Sequence, residues 1–144
     1  MVVGILSSNT QAQTAGPLLW TSYIDVLGNY VPTSGGGTFS RFTPGVPITV
    51  TRLQLQAAYG SYISGTRDKC HPLPKVRVTD GTTNYDLAIP NARFTGRYPT
   101  AVNADSGQIS ISFSGTPSLR MVVIPGEKNC DPGSINVTVQ YSVN

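Results

Sequence analysis

The sequence predicts an all-β protein, an antiparallel β-sandwich or jelly roll of about seven to eight strands. Two features of the composition support this class: charged residues make up only 12% of the 144 residues, and 15 Gly and 11 Pro supply many turn positions. A third is the alternation of apolar and polar residues that recurs along the chain, as in half-buried strands. The sequence shows no sustained helical periodicity, so we expect strands joined by turns.

The C-terminal stretch is the clearest strand. Its apolar positions are Ile135, Val137, Val139, Tyr141 and Val143, and its polar positions are Asn136, Thr138, Gln140 and Ser142. Successive side chains of a strand point to opposite faces, so this strand is predicted to have one dry and one wet face. A second alternating stretch places Ile109, Ile111 and Phe113 between serines. Residues 20–26, with Trp20, Ser22, Ile24 and Val26 on one face, and the apolar run 119–124 predict two more strands.

Two local signals predict how strands connect and bend. Asp80-Gly81 separates the alternating stretches 75–79 and 84–89, and this dipeptide favours a tight hairpin turn, so the two stretches should pair antiparallel. In the segment 48–57 the apolar residues change phase at Thr51-Arg52, from even to odd positions. Such a change predicts a β-bulge, because one extra residue shifts the alternation.

The chain length predicts one sandwich domain, residues 17–144, preceded by an N-terminal arm, residues 1–16. The arm begins with Val2, Val3, Ile5 and Leu6, which are apolar, and then becomes polar. An apolar arm can add as a strand to the sheet edge of another subunit. These four residues are therefore candidates for a subunit interface.

Charge and cysteine content bear on partners and compartment. The formal net charge of +3 comes from scattered basic residues, so nucleic-acid binding is not expected, and no apolar run is long enough to insert into a membrane. Cys70 and Cys130 each lie in a turn-like context about five residues before a predicted strand. They form either a disulfide, which implies an oxidising compartment, or two unrelated thiols. The N-terminus lacks the basic region of a complete signal peptide.

Residues for catalysis are scarce. His71 is the single His, Glu127 is the single Glu, and most Asp residues lie in or beside turns, where Asp caps backbone amides. A calcium site from Asp80, Asp105 and Asp131 is chemically reasonable but lacks ligand spacing. We therefore expect no enzyme activity, cofactor or metal. The alternative that includes catalysis is a hydrolase centred on His71 with an Asp partner.

Aromatic residues in Gly-rich or Pro-flanked segments are the candidate ligand-binding positions. They are Tyr59, Tyr62, Phe94 and Tyr98, with Arg97 beside them. Exposed tyrosines in loops suit a sugar platform or a protein interface, and they equally cover the ends of a sandwich. Packing or an interface is the favoured interpretation.

From Cys70 onward, the sequence resembles small secreted β-sandwich domains of unknown function found in bacterial surface, collagen-like and tail-fibre-like proteins. The resemblance covers about half the chain and rests on a turn-and-strand pattern: Cys70 before Val76-Arg77-Val78-Thr79-Asp80-Gly81, then Tyr85-Asp86-Leu87, Asp105-Ser106-Gly107 before Ile109-Ser110-Ile111-Ser112-Phe113, and Cys130 before Asn136-Val137-Thr138-Val139-Gln140-Tyr141. It implies extracellular display and no known catalysis, and it carries over no site residues.

Together these observations favour a non-enzymatic module displayed outside the cell, on the cell surface or on a virion, acting as a structural or adhesive self-assembling subunit. Its expected partners are further copies of itself, or a glycan or protein on a host surface. The alternative is a carbohydrate-binding, lectin-like module that uses the aromatic residues as stacking faces.

Overall fold

A computed structural model describes residues 12–21, 23–24, 30–31, 39, 42–59, 75–90, 100–122 and 134–144. The described residues form ten strands and no helix. The strands are β1 (Ala12–Thr21), β2 (Tyr23–Ile24), β3 (Tyr30–Val31), β4 (Ile48–Tyr59), β5 (Lys75–Thr79), β6 (Asn84–Ala88), β7 (Thr100–Asp105), β8 (Ile111–Ser112), β9 (Ser118–Val122) and β10 (Ser134–Val143). The predicted all-β class is confirmed.

Two antiparallel sheets form the sandwich. The large sheet has the order β1-β10-β4-β7, and β8 pairs with β4 at Thr49 and Val50. The small sheet has the order β6-β5-β9. Strands β2 and β3 form a separate antiparallel pair. The chain passes from the large sheet to the small one after β4, returns after β6, and crosses again before and after β9.

The core lies between the two sheets because one face of each is apolar. The large sheet contributes the buried side chains of Leu18, Trp20, Ile48, Val50, Leu53, Leu55, Ala57, Ile135, Val137 and Val139, and the small sheet those of Val76, Val78, Leu119 and Met121. Phe39, Phe42, Ile89 and Phe113 add buried side chains from connecting segments. Non-directional burial of this apolar surface is the main force that holds the sheets together.

The bulge predicted in β4 is confirmed. Arg52 pairs with Gln140 and Val50 with Tyr141, which leaves Thr51 as the extra residue opposite the partner strand β10. Because of this insertion, Val50 and Leu53 both face the core although they differ in phase. After the bulge, the first outward-facing residue of β4 is Arg52.

The predicted hairpin is also confirmed, with a longer loop than a two-residue turn. Strands β5 and β6 pair antiparallel and are joined by residues 80–83. Only Gly81 takes a positive φ, 93°, whereas the turn is closed by the Asp80 carboxylate, which accepts the backbone N–H groups of Thr82 and Thr83. The other carboxylate oxygen accepts the N–H of Gly115, so Asp80 also fixes the segment that leads into β9.

The N-terminal boundary differs from the prediction. Strand β1 starts at Ala12, so residues 12–15 of the predicted arm pair with β10, and residues 1–11 lie outside the described residues. The strand expected over residues 20–26 divides between the end of β1 and β2. Gly16 makes the irregularity in β1 possible: its φ is 122°, and a Cβ there would lie 2.6 Å from the Val137 carbonyl oxygen.

Strand β8 is shorter than predicted, and β9 is described from Ser118 to Val122. Only Ile111 and Ser112 pair with β4, while Phe113 is buried just beyond them. In β9 the pattern alternates, because Arg120 is exposed between buried Leu119 and Met121. The run 119–124 is therefore not a fully buried strand over its described part.

Candidate functional site

The outer face of the large sheet carries the most organised group of polar side chains in the described structure. A shallow depression of about 430 Å³ lies there. We call its polar lining the polar array, which comprises Gln54, Gln56, Asn103, Asp105, Asn136 and Thr138. Three strands supply two residues each, and the backbone around Leu55 and Ala104 completes the lining.

Strand register explains why these six residues meet. Across β10, β4 and β7, Asn136 is opposite Gln56, which is opposite Asn103. In the next row, Thr138 is opposite Gln54, which is opposite Asp105. Directly opposed Cβ atoms are about 5 Å apart, so each row places three polar groups within reach of one small ligand.

Asp105 is the only acidic member of the polar array, and its carboxylate is held from three sides. The Arg52 guanidinium donates from Nε to Oδ1 at 3.0 Å and from Nη2 to Oδ2 at 2.6 Å. Gln54 Nε2 donates to Oδ2 at 3.1 Å, and the Gly107 backbone N–H donates to Oδ1 at 2.8 Å. These bonds favour the charged form, and the hydrogen bond from Arg52 contributes most to holding the pKa of Asp105 well below its usual value.

The chemistry of the array suits binding better than proton transfer. Each amide side chain offers a donor and an acceptor, and Thr138 offers a hydroxyl group. Asp105 stays ionised and paired with Arg52, which makes it a poor general acid near neutral pH. Because the Arg52–Asp105 pair cancels its own charge, the surface suits an uncharged hydrogen-bonding partner.

Strand β1 borders the array. Among the described strands it is at the edge of the large sheet, where it pairs with β10 on one side, and none of its ten residues has an ionisable side chain. Leu19 is opposite Asn136 and so extends the first row of the array, and its side chain is 60% exposed. The array, whose one carboxylate is paired with Arg52, and the strand edge form one continuous surface without net charge.

Most of the site residues predicted from the sequence lie outside the described residues. These are Val2, Val3, Ile5, Leu6, Tyr62, Cys70, His71, Phe94, Arg97, Tyr98 and Cys130. Tyr59 is the last residue of β4, where its backbone pairs with Thr100. The turn role predicted for Asp80 and Asp105 is confirmed, since both carboxylates accept backbone N–H groups.

The sequence pattern indicates the wet faces of single strands but does not bring them together into a site. Asn136 and Thr138 were recognised as polar positions of the C-terminal strand, whereas Gln54, Gln56 and Asn103 were not singled out. The available signal was the polar alternation within 52–56 and 134–140. Knowing that these strands are neighbours requires tertiary pairing, which the local pattern does not contain.

Comparison with known proteins finds no matching family model, no matching curated protein and no matching solved structure. Within the described ranges, no three His, Cys, Asp or Glu side chains lie together in a way that could hold a metal ion. The same part of the chain contains no helix with the length and hydrophobicity needed to cross a bilayer. Function is therefore argued from the geometry of the described surfaces.

Proposed function

We propose that the protein is a non-enzymatic structural or adhesive module, displayed outside the cell or on a particle, whose copies associate through the large sheet. The observation that carries this proposal is the continuous surface without net charge formed by edge strand β1 and the polar array beside it. The partner we propose is a second copy of this chain.

An edge strand exposes backbone donors and acceptors that a further strand can pair with. Natural proteins usually protect such edges with charged side chains, proline or bulges. In β1 the irregularity between Ala15 and Leu18, which includes Pro17, interrupts the edge only in the middle. Residues 12–15 and 18–21 remain regular stretches at the edge, and neither contains a charge.

The surface beside the edge favours association for the same reason. Arg52 and Asp105 are the only charged residues on the described outer face of the large sheet, and they form a bidentate pair. Two copies that meet there have little charge repulsion to overcome. The exposed Leu19 side chain at the border adds apolar area that a contact would bury.

The strand order also supports the jelly-roll arrangement predicted from the sequence, which we propose as the finer description of this sandwich. Sheet orders β1-β10-β4-β7 and β6-β5-β9, with repeated crossing between sheets, resemble two interlocked Greek keys. Jelly rolls occur in capsid and lectin domains, so this analogy is compatible with assembly and with sugar binding. The analogy concerns the fold alone.

Matched charge insertions test the assembly proposal. Leu19→Glu places a charge on the edge of the large sheet, and Ala88→Glu places the same charge on exposed edge strand β6 of the small sheet. We expect light scattering to give a mass of two or more chains for the parent protein and for Ala88→Glu, and the monomer mass of 15.3 kDa for Leu19→Glu. A parent protein that is monomeric at 0.1 mM, or a Leu19→Glu variant that keeps the parent mass, would overturn the proposal; this concentration is chosen on the order of the Kd of a weak interface.

The role of the N-terminal arm is tested by deleting residues 1–11, which leaves β1 whole. If Val2, Val3, Ile5 and Leu6 supply an added strand to a neighbour, the deletion gives monomers. If β1 edges pair with each other directly, the deletion leaves the number of chains in each assembly unchanged. Either result keeps the large sheet as the interface and identifies the segment that covers its edge.

Extracellular display is supported by the resemblance and by the predicted Cys70–Cys130 disulfide. Mass spectrometry of the non-reduced protein, isolated under conditions that trap thiols, tests this point. A mass two hydrogen atoms below that of the reduced chain is expected. Two free thiols would contradict the disulfide and weaken the extracellular assignment.

Carbohydrate binding is the second candidate function, and the polar array favours it. Its amide, hydroxyl and carboxylate groups are the types that hydrogen-bond sugar hydroxyls, and a volume of about 430 Å³ lies in the usual range of small-ligand sites. We expect an array of neutral glycans to show binding that Asn136→Ala weakens about tenfold, the loss of one or two good hydrogen bonds. Gln140→Ala, on the same strand face outside the depression, is the matched control. A blank array would contradict this second function without affecting the assembly proposal.

A further inference from the structure

The outer face of the small sheet differs from that of the large sheet by carrying clustered positive charge. We call it the basic face, and its polar members are Lys75, Arg77, Thr79, Asn84, Asp86, Ser118 and Arg120. Three cations and one anion give these residues a net charge of +2 at neutral pH. Both flanking strands, β6 and β9, contribute to it.

Two of the cations are placed directly against each other. Arg77 on β5 is the cross-strand partner of Arg120 on β9. Like charges in this position destabilise a sheet, so the pair has a cost that a bound anion would relieve. Within the described residues, no acidic side chain lies within ion-pair distance of Arg120, which is exposed.

Asp86 compensates only part of this charge. Arg77 donates from Nε to Asp86 Oδ1 at 2.7 Å and from Nη2 to Oδ2 at 3.0 Å, and Lys75 Nζ lies 3.9 Å from the same carboxylate. A guanidinium group has five N–H donors, so three donors of Arg77 remain for a second anion. The Asp86 contact also fixes the orientation of Arg77 and prepares it for such a ligand.

We propose that the basic face binds an anionic polysaccharide, with a sulfate or carboxylate group of the chain seated between Arg77 and Arg120. Guanidinium groups bind such planar or multidentate oxyanions through paired N–H donors. Ser118 is opposite Thr79 in the next row, where the Thr79 hydroxyl donates to Asn84 Oδ1, and the Ser118 hydroxyl lies where a neighbouring sugar hydroxyl would follow. This site is on the opposite side of the sandwich from the polar array and does not depend on self-association.

The same features favour a polysaccharide over a nucleic acid. Single-stranded nucleic acids are bound by aromatic side chains that stack on bases, and the described outer face of the small sheet has no aromatic residue. The closely spaced phosphates of a nucleic acid would also have to pass the fixed Asp86 carboxylate, which repels them. A polysaccharide with one charged group every one or two sugars can place its anion on the arginines and an uncharged ring over Asp86.

Dextran sulfate and unmodified dextran are a suitable pair of probes because they share a backbone and differ in sulfate groups. We expect the protein to bind immobilised dextran sulfate, and to bind it more weakly as salt rises from 50 to 300 mM, since salt screens exposed charges. These concentrations span about a twofold change in screening length. We expect no retention on dextran.

Arg120→Gln is the test variant, and Arg52→Gln removes the same charge from the large sheet. Arg120→Gln should weaken dextran sulfate binding about tenfold, the usual loss for one charge-assisted contact, while Arg52→Gln changes it less than twofold. Arg120→Lys should recover only part of the loss, because Lys cannot form the paired contact. Equal losses in the two Gln variants would overturn the proposal, since binding would then follow net charge. Tighter binding of duplex DNA than of dextran sulfate at equal charge concentration would overturn it as well.

Discussion

The two outer faces of the sandwich differ in how they use charge, although both are built from alternating strands over one core. The face of the large sheet has a single ion pair, Arg52–Asp105, surrounded by amides and hydroxyls. The face of the small sheet has three cations that share one carboxylate, that of Asp86. The few charged residues of the described sheets are thus unevenly distributed between the two faces. One face is suited to an uncharged partner and the other to an anion.

The largest expected effect comes from the core that both faces share. Phe113 is fully buried, and its backbone is fixed by hydrogen bonds to Ile48 and from Asn144. Phe113→Ala should lower the free energy of unfolding by about 3–5 kcal/mol through lost burial and the cavity left behind. Urea unfolding measures this change. Self-association and dextran sulfate binding should then be lost together at moderate urea.

Val46→Ala is the control for this substitution, since it removes apolar atoms from an exposed position outside β1 and the polar array. Its effect on the free energy of unfolding should stay within about 0.5 kcal/mol. If Phe113→Ala abolished one surface activity and left the other at its parental level under the same conditions, the two faces would not share a cooperative core.

An intermediate effect is expected at Asp80, which supports the small sheet alone. Hydrogen bonds from Thr83, Gly115 and Thr82 lower the pKa of Asp80 from 3.8 to about 2. Because folding favours the charged form, this contribution is complete above pH 4 and is lost as pH falls from about 4 to 2. Asp80→Asn turns one oxygen into a donor that faces the Gly115 N–H, so it should lower the urea midpoint at pH 7.

The comparison between parent and Asp80→Asn should therefore depend on pH. The two midpoints should approach each other as pH falls to 2, because the parent carboxylate is then about half protonated in the folded protein. Urea titrations at pH 7, 4 and 2, with pH values chosen around the ordinary carboxyl pKa of about 4, measure this. A midpoint difference that is the same at all three would contradict the role of the charge.

The smallest expected effect sharpens the contrast between the faces. Asp86→Asn removes the one anion of the basic face and should cost about 1 kcal/mol of unfolding free energy or less, as for other partly exposed ion pairs. The same variant should bind dextran sulfate about threefold more tightly, since the local net charge rises by one. Its matched variant on the large sheet, Asp105→Asn, leaves Arg52 unpaired and should weaken self-association instead. Titration calorimetry and light scattering separate these results, and weaker sulfate binding by Asp86→Asn would count against the basic face.

The sequence predicted the parts of the fold that depend on neighbouring residues. The alternation in 134–143, the turn at Asp80 and the extra residue near Thr51 are all readable locally, because side-chain period and turn chemistry act over a few positions. The polar array was not predicted, since it depends on β10, β4 and β7 being neighbours across long sequence separations. The Arg77–Arg120 contact was missed for the same reason. The start of β1 was not predicted, because its first residues look like a polar arm when their pairing with β10 is unknown.

The extra residue at Thr51 also determines which mutations this fold tolerates. Residues 48–50 and residues 52–59 of one strand are joined by a position that no partner residue opposes in β10. Deleting Thr51 alone would make Val50 and Arg52 consecutive, as their partners Tyr141 and Gln140 already are, so the later residues of the strand would keep their faces and only the bulge, with the hydrogen bond from Ile109 N–H to the Thr51 carbonyl, would be lost. Substitution of the same residue by Ser or Val keeps the count and is expected to be mild. At this position the strand tolerates a change of residue or the loss of one, whereas deletion of a paired residue such as Gln54 would turn the rest of the strand to the opposite face.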